Sequence, residues 1–236
     1  MKEQDIRKAK WMAVFGIILA IAGYAFLLCA AFMQENGVPD KITTLIAVFG
    51  FFGCNGVGIV LLFKAYPYLV ISDSMKMSRK YDNLELFQLQ KVDKHSLKET
   101  LLKQGFVYTE EGYYRKKKIS VLKDYICYYV RMAYGEDMMD VIRQEAGRFD
   151  AIEKKEKNAC LLLFVYMDSV GEHEKEELKE FDKKSIILET VINPYVAATI
   201  IAIAVDCSTY TGYFLDVVKG NVISLYSHGC KLLKNL

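Results

Sequence analysis

Charged residues are absent from two long stretches near the start of the chain, Trp11 to Met33 and Ile42 to Phe63. A helix crossing a hydrocarbon core about 30 Å thick needs roughly 20 apolar residues, and every backbone N–H there must be satisfied within the helix. Both stretches reach that length, and neither carries the polar stripe of a helix packed on a soluble domain. The pattern predicts two membrane-spanning helices, 11–33 and 42–63. Between them 34-QENGVPDK-41 supplies Asn36-Gly37 and Pro39 as turn formers, so a hairpin over 11–64 is expected.

Lys2, Arg7, Lys8 and Lys10 precede the first stretch, as they would in a secretory signal. The apolar region of such a signal is about 7 to 15 residues long. The stretch here is longer and Cys29-Ala30-Ala31 is an indifferent cleavage site, so an uncleaved anchor is expected. Basic residues near span ends are retained on the cytoplasmic side. They flank the hairpin's two outer ends, with Lys64, Lys76, Arg79 and Lys80 after the second span, whereas the connecting loop has only Lys41. Both termini are therefore expected in the cytoplasm, with 1–10 as a cytosolic basic segment, and Trp11, Tyr66 and Tyr68 at headgroup level on that side.

Small residues punctuate the spans. Gly50, Cys54 and Gly58 recur every four residues, and Gly16, Ala20 and Gly23 fall on nearly one face of the first span. Small residues at such spacing let helix backbones approach closely in a bilayer, so these two faces are expected to form the seam of the hairpin. Asn55 lies roughly 12 Å from the cytosolic end of its span and Tyr24 roughly 20 Å from that of its own, at 1.5 Å per residue. A tyrosine leans towards its helix N-terminus, and a Tyr24–Asn55 hydrogen bond is expected.

From Ala65 onward the pattern changes to short segments. YPYLVIS reads as an extended or interfacial piece held by Pro67, with a polar connector behind it. Ser96-Leu97-Lys98-Glu99 is a capping-box pattern opening a short helix that ends at Gly105. FVYTEEGYYRKKKIS predicts two strands about Glu110-Glu111-Gly112, and DYICYYVRMAY a third. Asp137 caps a helix through MMDVIRQEAGRFDAIEKKEK. ACLLLFVYM and VAATIIAIAV have the length of buried strands, HEKEELKEFDKK is a polar helix, and IILETVI fits either. GYFLDVV is expected to pair with the second buried strand, and a short helix to start near Leu225. Glu189, Asn193 and Pro194 interrupt the run from Ile186 to Val205, which excludes a third span. The fold class is α+β: a two-helix transmembrane hairpin followed by a compact cytosolic domain, 65–236, with a mixed sheet.

Composition sharpens this. Hydrophobic residues make up 53% of 236, beside 25% charged, because the apolar content is concentrated in the spans. Beyond the spans acidic and basic residues balance, which argues against nucleic acid as a partner. The run Arg115-Lys116-Lys117-Lys118 reads as a solvated hairpin end. The six cysteines are widely spaced, without the C-x-x-C pairs of a metal or disulfide framework, and read as reduced cytosolic thiols. No cofactor fingerprint is present.

Two aspartates end the two most apolar strands, in FVYMD168 and IAVD206. If those strands are parallel, both carboxylates lie at the carboxyl edge of the sheet, where ligands of α/β folds bind and where a divalent cation with a phosphate could be held. An aspartate before a serine is equally a turn or cap. The segment 203-IAVDCSTYTGYFLDV-217 resembles the first phosphate motif of sugar kinases and actin-like ATPases, but Ser208 replaces that motif's glycine and the resemblance is not carried further. His95, His173 and His228 are far apart, although His228-Gly229-Cys230 sets an imidazole near a thiol.

The reading that follows is a two-pass membrane-anchored protein whose cytosolic domain binds a ligand or a protein partner. The lipid bilayer is its first partner, and a homo-oligomer or a membrane or cytosolic protein its second, with the hairpin acting as anchor, assembly element or bilayer effector. The alternative is a membrane-anchored, metal-dependent hydrolase or phosphotransfer enzyme using Asp168 and Asp206.

Overall fold

α1 (Glu3–Glu35) and α2 (Asp40–Asp82) are joined by a turn in which Gly37 adopts φ 81°. Glycine enters that left-handed region without steric penalty, and it closes the end of α1, where the Val38 N–H donates to the Met33 carbonyl at 3.1 Å. Asp40 then places a negative charge in the first turn of α2. The computed structural model describes residues 3–82, 84–119, 125–154, 156, 158–189, 198–217 and 224–236. Two compact units, Met1–Lys76 and Met77–Leu236, divide the chain.

In the first unit both helices are long and apolar enough to cross a membrane. Their burial is inverted relative to a soluble helix pair. Ala9, Gly16, Gly23 and Ala30 are buried at intervals of seven in α1, and Gly58, Ala65 and Ser72 at the same interval in α2. Trp11, Phe15, Ile21, Leu28 and Phe32, with Phe49, Phe52 and Phe63, point outward. A seven-residue repeat keeps one face of a helix against its partner. Here that face is made of the smallest side chains.

Helix α2 corrects one expectation: Tyr66–Ser72 is neither extended nor followed by an irregular connector, because α2 continues through Pro67 to Asp82. An interior proline costs about 3 kcal/mol or more by removing one N–H and crowding the preceding turn. The buried face of α2 runs on through Ala65 and Ser72, so tertiary packing overrides that local preference.

The second unit is built on a seven-stranded mixed sheet of order β1-β7-β6-β5-β4-β3-β2. Its strands are β1 (Leu86–Leu89), β2 (Val107–Tyr108), β3 (Tyr114–Ile119), β4 (Tyr125–Tyr134), β5 (Ala159–Met167), β6 (Ala198–Asp206) and β7 (Thr211–Leu215). The central β4, β5 and β6 are parallel, and β3 and β7 flank them antiparallel. Four helices cover it: α3 (Lys94–Lys103), α4 (Met138–Glu153), α5 (Glu172–Ile187) and α6 (Leu225–Leu233).

Alternation along the strands sorts the core. Cys127, Tyr129, Leu161, Leu163, Val165, Ala202 and Ala204 pack with Val141, Ile142, Phe149 and Leu178 of α4 and α5. Their neighbours Tyr128, Val130, Leu162, Phe164, Ile201 and Ile203 pack with Leu97 and Leu101 of α3 and Leu225, Tyr226 and Leu233 of α6. Burial on both faces is why β5 and β6 read as continuous apolar runs. At the start of α3 the cap is Asp93, whose carboxylate accepts from the His95 and Ser96 N–H groups, in place of the expected Ser96. Helix α5 takes in Ile186 and Ile187 and is capped by Leu188; residues 190–192 of the ambiguous segment and the break at Asn193-Pro194 fall within 190–197, outside the described residues.

Candidate functional site

The parallel pairing of β5 with β6 sets Met167 beside Asp206, so Asp168 and Asp206 are both at the carboxyl edge of the sheet. Their surroundings differ. Asp206 is 9% exposed; its Oδ1 accepts from the Ser208 N–H (2.8 Å), the Ser208 hydroxyl (2.5 Å) and the Thr209 N–H (3.2 Å), and its Oδ2 from the Val170 N–H (3.3 Å). The Ser208 hydroxyl and these amides hold the carboxyl below the usual carboxylate range. Asp168 is exposed and lines an open cleft of about 480 Å³ with Tyr134, Glu136, Tyr166 and Glu174. Among the described residues no group of three or more His, Cys, Asp or Glu is placed to hold a metal ion.

In the hairpin, Gly16 and Gly58 cross. A Cβ on Gly16 would lie 2.9 Å from the Gly58 carbonyl oxygen, and one on Gly58 would lie 2.8 Å from the Gly16 carbonyl oxygen and 3.6 Å from the Ala20 nitrogen. A Cβ on Gly50 would meet the Phe26 ring, and Cys54 is half-buried between these points. The Tyr24–Asn55 hydrogen bond does not form. The Asn55 amide lies against Gly23, where a Cβ would come within 2.3 Å of it, and donates to the Phe51 carbonyl of its own helix at 2.9 Å. Tyr24 instead meets Phe51 edge to face, ring centroids 5.4 Å apart. The notch left by Gly23 draws the amide to its own backbone and away from the tyrosine.

A second cleft, of about 380 Å³, opens between β3 and α4 on the same face as α4, lined by Tyr113, Arg115 and Tyr129 on the sheet side and by Arg148, Ala151 and Ile152 on the helix side, with Thr109, Glu111 and Glu156 at its rim. The basic run that reads as a solvated hairpin end is split by strand alternation. Arg115 turns into this cleft and pairs with Glu156, with its guanidinium 6.0 Å from the Tyr129 ring centroid. Lys116 goes to the opposite face, donating to the Gln104 carbonyl and lying 5.5 Å from the Phe106 ring centroid.

Behind the cleft stands Glu145, 3% exposed, hydrogen-bonded by Arg148 at 2.6 Å, with its Oε2 3.2 Å from the Arg131 Nε in an ion pair that lacks hydrogen-bond alignment. Arg131 also donates to the Gly112 carbonyl at 2.6 Å. Two polar atoms in the cleft's lining residues, the Tyr113 hydroxyl and the Arg115 Nε, are buried without a hydrogen-bond partner. Sequence patterning missed this site, since its arginines and glutamates are spread over β3, β4, α4 and the segments that hold Glu111 and Glu156. The local signal was Arg115, in register with Tyr129 and placed on β3, the strand between β2 and β4.

Two further buried carboxylates serve the fold. Asp182, fully buried in α5, stands between β6 and β7 where their ladder ends, accepting from the Leu215 N–H at 3.2 Å and the Ala202 N–H at 3.4 Å. Burial pushes its carboxyl up to about 7. Glu189 accepts from the Leu225 and Tyr226 N–H groups at the start of α6, matching its charge to the positive end of the helix. Cys230 is buried and its thiol is pushed up by desolvation, the reverse of an activated nucleophile.

No protein-family model, curated protein or solved structure matches this chain. The fold and clefts define an α+β protein with a two-helix apolar N-terminal region, and any function is argued from that geometry.

Proposed function

We propose that the chain is a two-pass integral membrane protein whose hairpin, 11–64, anchors a cytosolic ligand-binding or partner-binding module, 65–236, with both termini in the cytoplasm. The observation that carries this reading is the inverted burial of α1 and α2. Ala9, Gly16, Gly23, Ala30, Gly58 and Ala65 are inside, while the large apolar side chains face outward. In water that arrangement leaves the hydrophobic effect unused; in lipid, tails solvate the large side chains and helices associate through close packing of small ones. The flanking basic residues favour the stated orientation.

Single cysteines decide the topology. Asn36→Cys, in the turn between the helices, is expected to react with a membrane-impermeant maleimide in intact cells, and Lys98→Cys, exposed on α3, only after permeabilisation. The reverse pattern, or release of the chain from membranes by alkaline carbonate, overturns the reading. Native mass measurement in detergent separates a monomeric anchor from an assembly.

A further inference from the structure

We propose that the cleft between β3 and α4 binds a small organic carboxylate with an apolar body, held by Arg115 and Arg148; this rests on the reading of the domain as a binding module. Both arginines line the cleft, one from a strand and one from a helix, with side chains 40% and 52% exposed. A guanidinium presents five donors in a planar fork suited to carboxylates. Arg115 spends one Nη on Glu156 and Arg148 one Nη on Glu145, leaving donors on each.

Buried polar groups are normally hydrogen-bonded, and each exception requires an explanation. Both orphaned atoms in the lining residues, the Arg115 Nε–H and the Tyr113 hydroxyl, are able to donate. The orphaned acceptor behind them, the Glu145 Oε2, faces the Arg131 Nε, so the two orphaned donors of the lining residues call for an acceptor of their own.

The charge of the lining selects the class of anion. Among the described lining residues Arg115 and Arg148 are offset by Glu111 and Glu156, and Arg148 is also paired with Glu145, so a monoanion can replace Glu156 on Arg115 one for one whereas a dianion would add an unmatched negative charge. Tyr129, Ala151 and Ile152 supply an apolar wall for the body of the ligand, and the volume of about 380 Å³ suits a small molecule. Glu156 is the acceptor that Arg115 uses in this structure, and it acts as a built-in competitor of the ligand.

The test is titration calorimetry on the full chain in detergent, with benzoate and hexanoate as probes, benzyl alcohol as the uncharged control and inorganic phosphate as the alternative anion. Saturable binding of a carboxylate probe is expected, with no binding of benzyl alcohol. Arg115→Gln or Arg148→Gln is expected to weaken it about tenfold, the equivalent of one charge-assisted hydrogen bond. Glu156→Gln, which removes the competitor, is expected to strengthen it several-fold, an outcome that a purely structural Arg115–Glu156 pair does not produce. Failure of both carboxylates, preference for phosphate, or equal affinity in the Arg115→Gln and Glu156→Gln proteins overturns the site. The labelling experiment above decides the membrane reading independently, so the two failures are distinguishable.

Discussion

Gly16 and Gly58 each occupy the space that a side chain on the other would need, with the two backbones in contact through their carbonyl oxygens. Leucine at either position must push the helices apart. Gly53 and Gly56 have open space at the Cβ position. We expect Gly16→Leu and Gly58→Leu to destabilise the hairpin by about 1–3 kcal/mol or more through overpacking. Gly53→Leu and Gly56→Leu are expected to be near neutral. Thermal denaturation in detergent measures all four, and equal tolerance would show that the crossing does not hold the helices.

The Asp182 carboxyl, pushed up to about 7 in the folded protein, makes stability depend on pH. In the unfolded chain an aspartate titrates near 3.9. Between these values the folded state keeps a proton that the unfolded state has lost, so the stabilisation present below about 4 is lost as pH rises through about 7. Asp182→Asn cannot titrate. Its melting temperature is expected to fall less than the wild type's from pH 4 to pH 7.5, and parallel profiles for the two proteins would refute the assignment.

Asp206 contributes with the opposite sign. Its carboxyl is held low by the Ser208 hydroxyl and three amides, so its stabilisation is present above the usual carboxylate range and is lost as pH falls. Asp206→Ala is expected to lower the melting temperature at pH 7 and to flatten the acid limb of the profile. A wild-type melting temperature raised by Mg²⁺ or Mn²⁺, and unaffected by either ion in Asp206→Ala, would instead support a cation site shared with Asp168.

Glu145 is buried between Arg131 and Arg148, whereas Asp140 and Arg143 pair on the surface of α4 with side chains 69% and 72% exposed. Removing the buried carboxylate leaves Arg131 and Arg148, 24% and 52% exposed, without it, so Glu145→Ala is expected to cost about 1–3 kcal/mol. Asp140→Asn is expected to change stability by about 0.5 kcal/mol or less, as exposed pairs do. Urea denaturation at neutral pH ranks the two, and comparable losses would place Glu145 outside any stabilising network.

Tyr113 and Tyr226 are both buried tyrosines, but only the second hydroxyl has a partner, donating to the Leu215 carbonyl at 3.3 Å. Without ligand, Tyr113→Phe is expected to leave stability unchanged or to raise it, and Tyr226→Phe to lower it by about 1 kcal/mol. A greater loss for Tyr113→Phe would mean that its hydroxyl is satisfied in solution.

Much of this architecture was legible from local pattern. Two uncharged runs, a turn of Asn36-Gly37 and Pro39, and strand-length apolar segments ending at Met167 and Asp206 depend on hydropathy and turn chemistry, which act over a few residues. The pairing of the strand at Ala198–Asp206 with that at Thr211–Leu215 was legible for the same reason, since only a four-residue turn separates them. Where a local rule failed, a non-local contact overrode it. Pro67 marks a break by its own chemistry, yet α2 passes through it because Ala65 and Ser72 lie on a buried face. Asn55 had the depth to suggest a bond to Tyr24, but the gap at Gly23, a residue on the other helix, determined where its amide went.

The chain's own residues thus determined its class, because solvent preference and backbone propensity are properties of short segments. The cleft was a matter for the tertiary structure. Arg115, Glu145, Arg148 and Glu156 are unremarkable charges in the linear chain, and their meaning comes from burial and from two unpartnered donors that exist only once β3, β4 and α4 are assembled. Desolvation and pairing are properties of position in three dimensions. That is why the two long apolar helices could be read along the chain and the cleft could not.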